Sequence, residues 1–211
     1  MKYQIIPVTP FQQNCSLIIC EATGKAALID PGGDIDRILT AVAAHQVTLE
    51  YLLLTHGHLD HVGAAYAMSQ QFQIPILGPH RDDAFWLEML EQQCQAFGFA
   101  KVKAFKPDRW LEDQATVSIG TVQLKVLHCP GHTPGHVVFF CEQAGVAWVG
   151  DVLFHGSIGR TDFPRSDHQT LLRSIREQLW PLGPEVIFIP GHGPQSSFGE
   201  EMRHNPYVGC H

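Results

Sequence analysis

In the stretch Tyr51-Leu52-Leu53-Leu54-Thr55-His56-Gly57-His58-Leu59-Asp60-His61, an apolar run suited to a buried strand passes directly into three imidazoles and a carboxylate. Groups crowded like this on a strand end repel one another and their protons unless a cation sits among them. Imidazole and carboxylate suit zinc, iron or manganese, and the end of a rigid strand is where an accurately placed ion site belongs.

Three more apolar runs end in a residue of the same chemical type. Cys129-Pro130-Gly131-His132 follows Val122 to His128, Gly150-Asp151 follows Val146 to Val149, and Pro190-Gly191-His192-Gly193 follows Val186 to Ile189. One Gly-His pair is an ordinary turn, whereas several strand ends that all carry ligand-type residues point to a shared site. A glycine beside each ligand lets the backbone turn sharply and approach closely.

The remaining elements divide into two similar halves. Ile5 to Val8, Cys15 to Cys20 and Ala26 to Ile29 read as an antiparallel start that closes at the turn Asp30-Pro31-Gly32-Gly33. Helical spacing follows over Ile35 to His45, then the Tyr51 to Leu54 strand, a helix over Val62 to Gln71, a strand over Ile74 to Leu77 and a helix through Asp82 to Phe97. The second half repeats the logic with strands at Val117 to Ile119, Val122 to Leu127, Val137 to Cys141 and Val146 to Val149. A helix over Gln169 to Leu179 and a strand over Val186 to Ile189 complete it. Two β-rich halves that each finish with helix and strand predict an α/β (α+β) protein, two packed sheets covered by helices on both outer faces, an αββα sandwich of four layers.

With 211 residues, 45% of them hydrophobic, the chain is expected to form a single domain over 1–211 with a substantial core. A net charge of -7 argues against nucleic acid as a partner, since phosphate-binding surfaces carry excess Lys and Arg. Met1-Lys2-Tyr3-Gln4-Ile5-Ile6-Pro7 lacks the apolar run of a secretory signal, and no segment approaches the roughly 18 apolar residues of a membrane span. A cytoplasmic protein without membrane partners is the expectation. Cys15, Cys20, Cys94, Cys129, Cys141 and Cys210 are scattered and are expected as reduced thiols.

Taken together, His56-x-His58-x-Asp60-His61, Gly131-His132, Asp151 and Pro190-Gly191-His192 resemble the ligand set of the metallo-β-lactamase superfamily, and the likeness runs from Asp30 to His192. The resemblance implies the metallo-β-lactamase fold and two divalent metal ions, zinc first, with iron and manganese as the other candidates. It assigns His56, His58 and His132 to one ion, Asp60, His61 and His192 to the other, and Asp151 to both. Aspartate at 151 is similar to the glyoxalase II hydrolases, whereas several antibiotic-degrading lactamases carry cysteine there. Leu59, the run Gly131-His132-Thr133-Pro134-Gly135-His136, and Gly199-Glu200-Glu201 to Asn205-Pro206-Tyr207 resemble short bacterial glyoxalase II proteins of the YcbL-like type, hydroxyacylglutathione hydrolases without the C-terminal helical domain of longer relatives. The run Gly159-Arg160-Thr161-Asp162-Phe163 is similar instead to persulfide dioxygenases of the same superfamily, while Leu59 and His136 favour the hydrolases.

The implied activity is thioester hydrolysis. A glutathione thioester such as S-D-lactoylglutathione would yield D-lactate and glutathione, a step of methylglyoxal detoxification, through a hydroxide bridging two metals and oriented by Asp60. A thiolate leaves readily because its conjugate acid has a pKa of about 8.5, which suits a site with no obvious general acid. The alternatives are a mononuclear-iron glutathione persulfide dioxygenase and a hydrolase of another thioester or ester. For the substrate's carboxylate tail the candidates are Arg160, then Arg203 and Asn205, since arginine engages carboxylates bidentately. Asp30 either forms a turn before Pro31 or holds a ligand histidine from behind. His128 and His136 are expected to pack or hydrogen-bond rather than ligate, as the ligand set is already full. Phe85, Trp86, Phe97 and Phe99 either roof the site or join the core.

Overall fold

A computed structural model describes residues 1–209 of the chain. Cys210 lies outside the described residues. The first sheet holds β1 (Lys2–Val8), β2 (Gln13–Cys20), β3 (Lys25–Ile29), β4 (Thr48–Leu53) and β5 (Ile76–Leu77) in that spatial order. β1, β2 and β3 are antiparallel neighbours, and β4 and β5 join in parallel. Crossovers supply α1 (Ile35–His45) before β4, and α2 (Leu59–Val62) and α3 (Ala65–Phe72) before β5. Next along the chain are α4 (Ala84–Glu88) and α5 (Leu90–Phe97).

The second sheet begins with the antiparallel meander β6 (Thr116–Ile119), β7 (Val122–His128), β8 (Val137–Cys141) and β9 (Val146–Gly150). The ribbon β10 (Leu153–Phe154) and β11 (Ser157–Ile158) and helix α6 (His168–Ser174) follow. β12 (Ile187–Pro190) then pairs parallel to β9, and β13 (Ser196–Ser197) forms the edge before α7 (Phe198–His204).

Side-chain alternation along each strand decides the layering, because successive residues face opposite sides of a sheet. On β2, Cys15, Leu17 and Ile19 pack under the helices of the first half, and Ile18 and Cys20 face the other sheet. On β9, Val146 and Trp148 face the first sheet, and Ala147 and Val149 pack under α6 and α7. Three apolar layers therefore separate four layers of secondary structure, as the sequence predicts. The five described cysteines are buried and free.

The helices depart from simple periodicity for local reasons. The helix expected over Val62 to Gln71 starts at Leu59 and breaks before Ala65. There the Pro31–Gly32 turn presses in: a side chain on Gly63 would stand 2.5 Å from the Gly32 carbonyl, and the Ala64 amide donates to Pro31 O at 3.0 Å. The long helix expected through Phe97 is a 3-10 turn at Arg81–Asp83 followed by α4 and α5, divided where the Gln93 side-chain amide donates to the Trp86 carbonyl at 2.9 Å. The helix over Gln169 to Leu179 becomes a π turn from Ile175. No helix is long and apolar enough to cross a membrane among the described residues.

Candidate metal centre

The ends of β4, β7, β9 and β12 meet at one edge of the sandwich and bring the proposed ligands together. His56 Nε2 and His132 Nε2 each lie 3.1 Å from His58 Nδ1. Beside them, His192 Nε2 lies 3.1 Å from Asp60 Oδ2, and His61 Nε2 lies 3.7 Å from the same oxygen. Asp151 stands between the two groups, with Oδ1 3.4 Å from His61 Nε2 and Oδ2 3.6 Å from His132 Nε2 and 3.7 Å from His192 Nε2. In each of the sets His56, His58, His132 and Asp60, His61, His192, one donor atom per residue lies within 4.8 Å of the others.

Outer ring nitrogens of four of the five clustered histidines are held by acceptors, and that of His58, Nε2, is buried without a hydrogen-bond partner. His132 Nδ1 donates to the Arg160 carbonyl at 2.8 Å, His192 Nδ1 to the Phe11 carbonyl at 3.1 Å, and His56 Nδ1 to Thr55 Oγ1 at 3.0 Å. Asp30 is buried, and its Oδ2 takes His61 Nδ1 at 2.8 Å while also accepting the Thr55 hydroxyl at 2.6 Å. Its carboxylate therefore faces the histidine loop and does not fold back into its own turn. A donor N–H on the outer nitrogen leaves a lone pair on the inner one, the tautomer a metal requires.

The donor set fits a pair of divalent cations. His61 Nε2 and Asp151 Oδ1 are buried without a hydrogen-bond partner and face the cluster, and inward-facing lone pairs this close repel without positive charge between them. Burial, followed by neighbouring imidazoles, pushes His56 and His58 well below the usual imidazole range. Burial also opposes the charge on Asp151, but His61, His132 and His192 outweigh it and hold the carboxylate well below its ordinary range. Burial also opposes charge on His61 and His192, but Asp151, Asp60 and Asp30 raise His61 well above the usual imidazole range and Asp60 and Asp151 raise His192, so this half of the cluster takes up metal by giving up protons.

Glycines beside the ligands serve two purposes. Gly150 has φ 48°, a left-handed conformation that turns β9 into Asp151. Gly191 has no such φ, but any side chain on it would strike Asp151 Oδ1.

His136 lies outside the ligand pattern: it stacks on His56 at 4.7 Å, and its Nε2 accepts the Asp151 amide at 3.0 Å. His128 donates Nε2–H to the Pro134 carbonyl at 2.9 Å. Arg160 is clasped by Asp162 at 2.7 Å and lies over the Phe163 ring. Arg203 pairs with Glu200 at 3.4 Å in solvent. Asn205 is buried, and its amide donates to Ser157 O at 3.1 Å and to Glu201 at 2.8 Å, so its hydrogen bonds serve the fold. Trp86 is buried with its edge against His58 at 4.5 Å, whereas Phe97 is 52% exposed and meets Phe11.

Sequence reasoning missed several contributors. Phe163 lies 4.7 Å from the His58 ring and 5.5 Å from His132, forming one wall of the cluster. Asp83 binds the ligand loops from behind, although His80-Arg81-Asp82-Asp83 has the composition of a solvated turn.

A sequence profile of the Metallo-beta-lactamase superfamily matches residues 8–192. The chain belongs to this superfamily. It is 48% identical over 209 residues to hydroxyacylglutathione hydrolase GloC of Haemophilus influenzae, covering 99% of this chain and 98% of that protein. Among solved structures, the BLEG-1 B3 metallo-beta-lactamase is 37% identical with a TM-score of 0.90, covering 98% of this chain and 99% of that one. TTHA1623, solved in a di-iron-bound form, is 35% identical with a TM-score of 0.88, covering 97% and 99%. Membership and the clustered donors agree on a metal-dependent hydrolase built around a two-metal centre.

Proposed function

We propose that this metal-dependent hydrolase, acting as one domain over 1–211, cleaves a glutathione thioester such as S-D-lactoylglutathione. The observation that carries the proposal is the complete set His56, His58, Asp60, His61, His132, Asp151 and His192 gathered at one edge of the sandwich, together with 48% identity to a hydroxyacylglutathione hydrolase. Two divalent ions, zinc by preference with iron or manganese able to substitute, supply a water acidic enough to ionise near neutral pH and a Lewis acid for the carbonyl oxygen. The remaining work falls to the chain. Asp60, 15% exposed beside His192, orients the attacking water, and Asp151 couples the two halves of the site. The wall of Phe163 and Trp86 against His58 keeps bulk solvent from that side, which strengthens the electrostatics within. A thiolate leaves without a general acid, consistent with a cluster whose imidazoles are all committed.

Arg160 is the proposed contact for a substrate carboxylate. Its carbonyl holds His132, so its guanidinium starts next to the site and can exchange Asp162 for the incoming anion. Arg160→Ala is then expected to raise KM several-fold with kcat little changed, and an unchanged KM would remove Arg160 from the substrate site. A place inside the cell without membrane attachment accords with this substrate.

Release of thiol from S-D-lactoylglutathione, measured beside nitrocefin hydrolysis and oxygen uptake with glutathione persulfide, tests the proposal. The thioester should be the best substrate by a wide margin. The lactam is the natural control, because a structural neighbour is a metallo-beta-lactamase, and its nitrogen is a poorer leaving group than a thiolate. Persulfide-dependent oxygen uptake without thioesterase activity would support the dioxygenase alternative, which the Gly159–Phe163 run favours.

A further inference from the structure

Behind the three-histidine half of the centre lies a buried carboxylate that belongs to neither ligand set. Asp83, on the 3-10 turn Arg81–Asp83, is completely buried. Its Oδ2 accepts the Gly57 amide at 2.9 Å and the Thr133 hydroxyl at 2.8 Å, and its Oδ1 accepts the Gly135 amide at 2.6 Å. Gly57 separates His56 from His58, and Thr133 follows His132. One carboxylate thus ties the loop after β4 to the loop after β7, two loops that come from different sheets and have to meet within a few tenths of an ångström to present three nitrogens to one ion.

The surrounding backbone is built to admit it. A side chain on Gly57 would stand 2.6 Å from Trp86 Cβ, and one on Gly135 would stand 2.5 Å from the Asp83 amide and 2.7 Å from the His80 carbonyl. Both glycines let the 80–86 segment lie directly on the ligand loops. The His80 amide adds a strut by donating to the Gly135 carbonyl at 3.0 Å. The three hydrogen bonds of Asp83 all go to the loops of the three-histidine half, and His61 in the other half is held by Asp30.

We infer that Asp83 is a positioning residue for the His56, His58 and His132 site alone, tying its two loops together, whereas Asp30 reaches both halves of the centre, His61 directly and His56 by way of the Thr55 hydroxyl. This rests on the reading of these residues as metal ligands, but it does not depend on the substrate. Asparagine at 83 is the informative replacement. It keeps the shape but offers one acceptor in place of two, so its amino group must face either the Gly135 or the Gly57 N–H and leave that donor unpaired.

The test is metal binding rather than turnover. Zinc affinity of Asp83→Asn is measured by competition with a chromophoric chelator, in the wild-type background and in the His58→Ala and Asp60→Ala backgrounds, with melting temperature followed throughout. The step that fills the three-histidine site should lose about 10–100-fold in affinity in the wild-type background, as for other residues that orient metal ligands from behind. The loss should persist in Asp60→Ala and vanish in His58→Ala, where the three-histidine site is already broken. Thr133→Val, which removes one of the three hydrogen bonds and no charge, should give a smaller loss of the same pattern and covers the case in which Asp83→Asn folds poorly. Equal losses at both sites, an undiminished loss in the His58→Ala background, or a fall in melting temperature with unchanged affinity would each overturn the inference. Because no substrate enters the assay, failure of the thioesterase proposal would leave its outcome intact.

Discussion

Four of the five clustered histidines, the proposed ligands, have their aim set by what stands on their outer nitrogens. Asp30 shows how much one such residue does: a single carboxylate accepts His61 Nδ1, the Thr55 amide and the Thr55 hydroxyl, all in a buried setting. Asp30→Asn keeps the volume but cannot accept from all three donors. We expect about a 10–100-fold loss of affinity at the Asp60, His61 and His192 site and a destabilisation of about 1–3 kcal/mol from the unpaired donor, read by chelator competition and urea unfolding. Affinity equal to wild type would mean that His61 is aimed by its backbone alone. At this scale the clustering of the proposed ligands was legible in the sequence because histidine and aspartate at strand ends have few other reasons to gather. Their supports were less so. Asp30 could equally have been a turn former, and Asp83 carried no signal, since its three partners lie 26, 50 and 52 residues away. Asn205 shows the converse: a polar residue with recognition chemistry spends it on the Ser157 carbonyl and Glu201.

Among the elements, the longer strands were readable and, β5 apart, the two-residue ones were not. β10, β11 and β13 have two residues each, too few to show a period of two. α7 was also passed over, because Gly199 near its start and its charged face hide a helical stripe. Its signature was nonetheless present: Ser197-Phe198-Gly199-Glu200 has the spacing of a capping box, and Ser197 Oγ accepts the Glu200 amide at 3.1 Å. α7 matters for the centre's outer rim. Its buried Glu201 accepts the Gly156 amide at 2.8 Å and so anchors the loop that leads to Arg160 and Phe163. Ser197→Ala should cost about 1 kcal/mol of stability by loss of the cap, measured by thermal unfolding. An unchanged melting temperature would indicate that packing of Phe198 holds the helix without it.

Across the whole molecule, the sandwich places four strand ends at one edge and leaves that edge polar while three apolar layers fill the rest. The layering was legible from two β-rich halves, each closed by helix and strand. The positions where helices break were not, because they depend on a distant turn pressing on Gly63 and on the Gln93 side-chain amide reaching the Trp86 carbonyl. An edge crowded with imidazoles and carboxylates costs the fold free energy until cations occupy it, so chain stability and metal binding are linked. The same edge is where the hydrolysis is proposed to occur, and that link gives the most direct test. Chelator-stripped protein, titrated with zinc while thiol release from S-D-lactoylglutathione is followed, should begin inactive and reach full turnover as about two equivalents bind, with the melting temperature rising over the same range. Full turnover before any metal is added, or none after both equivalents are bound, would contradict the account.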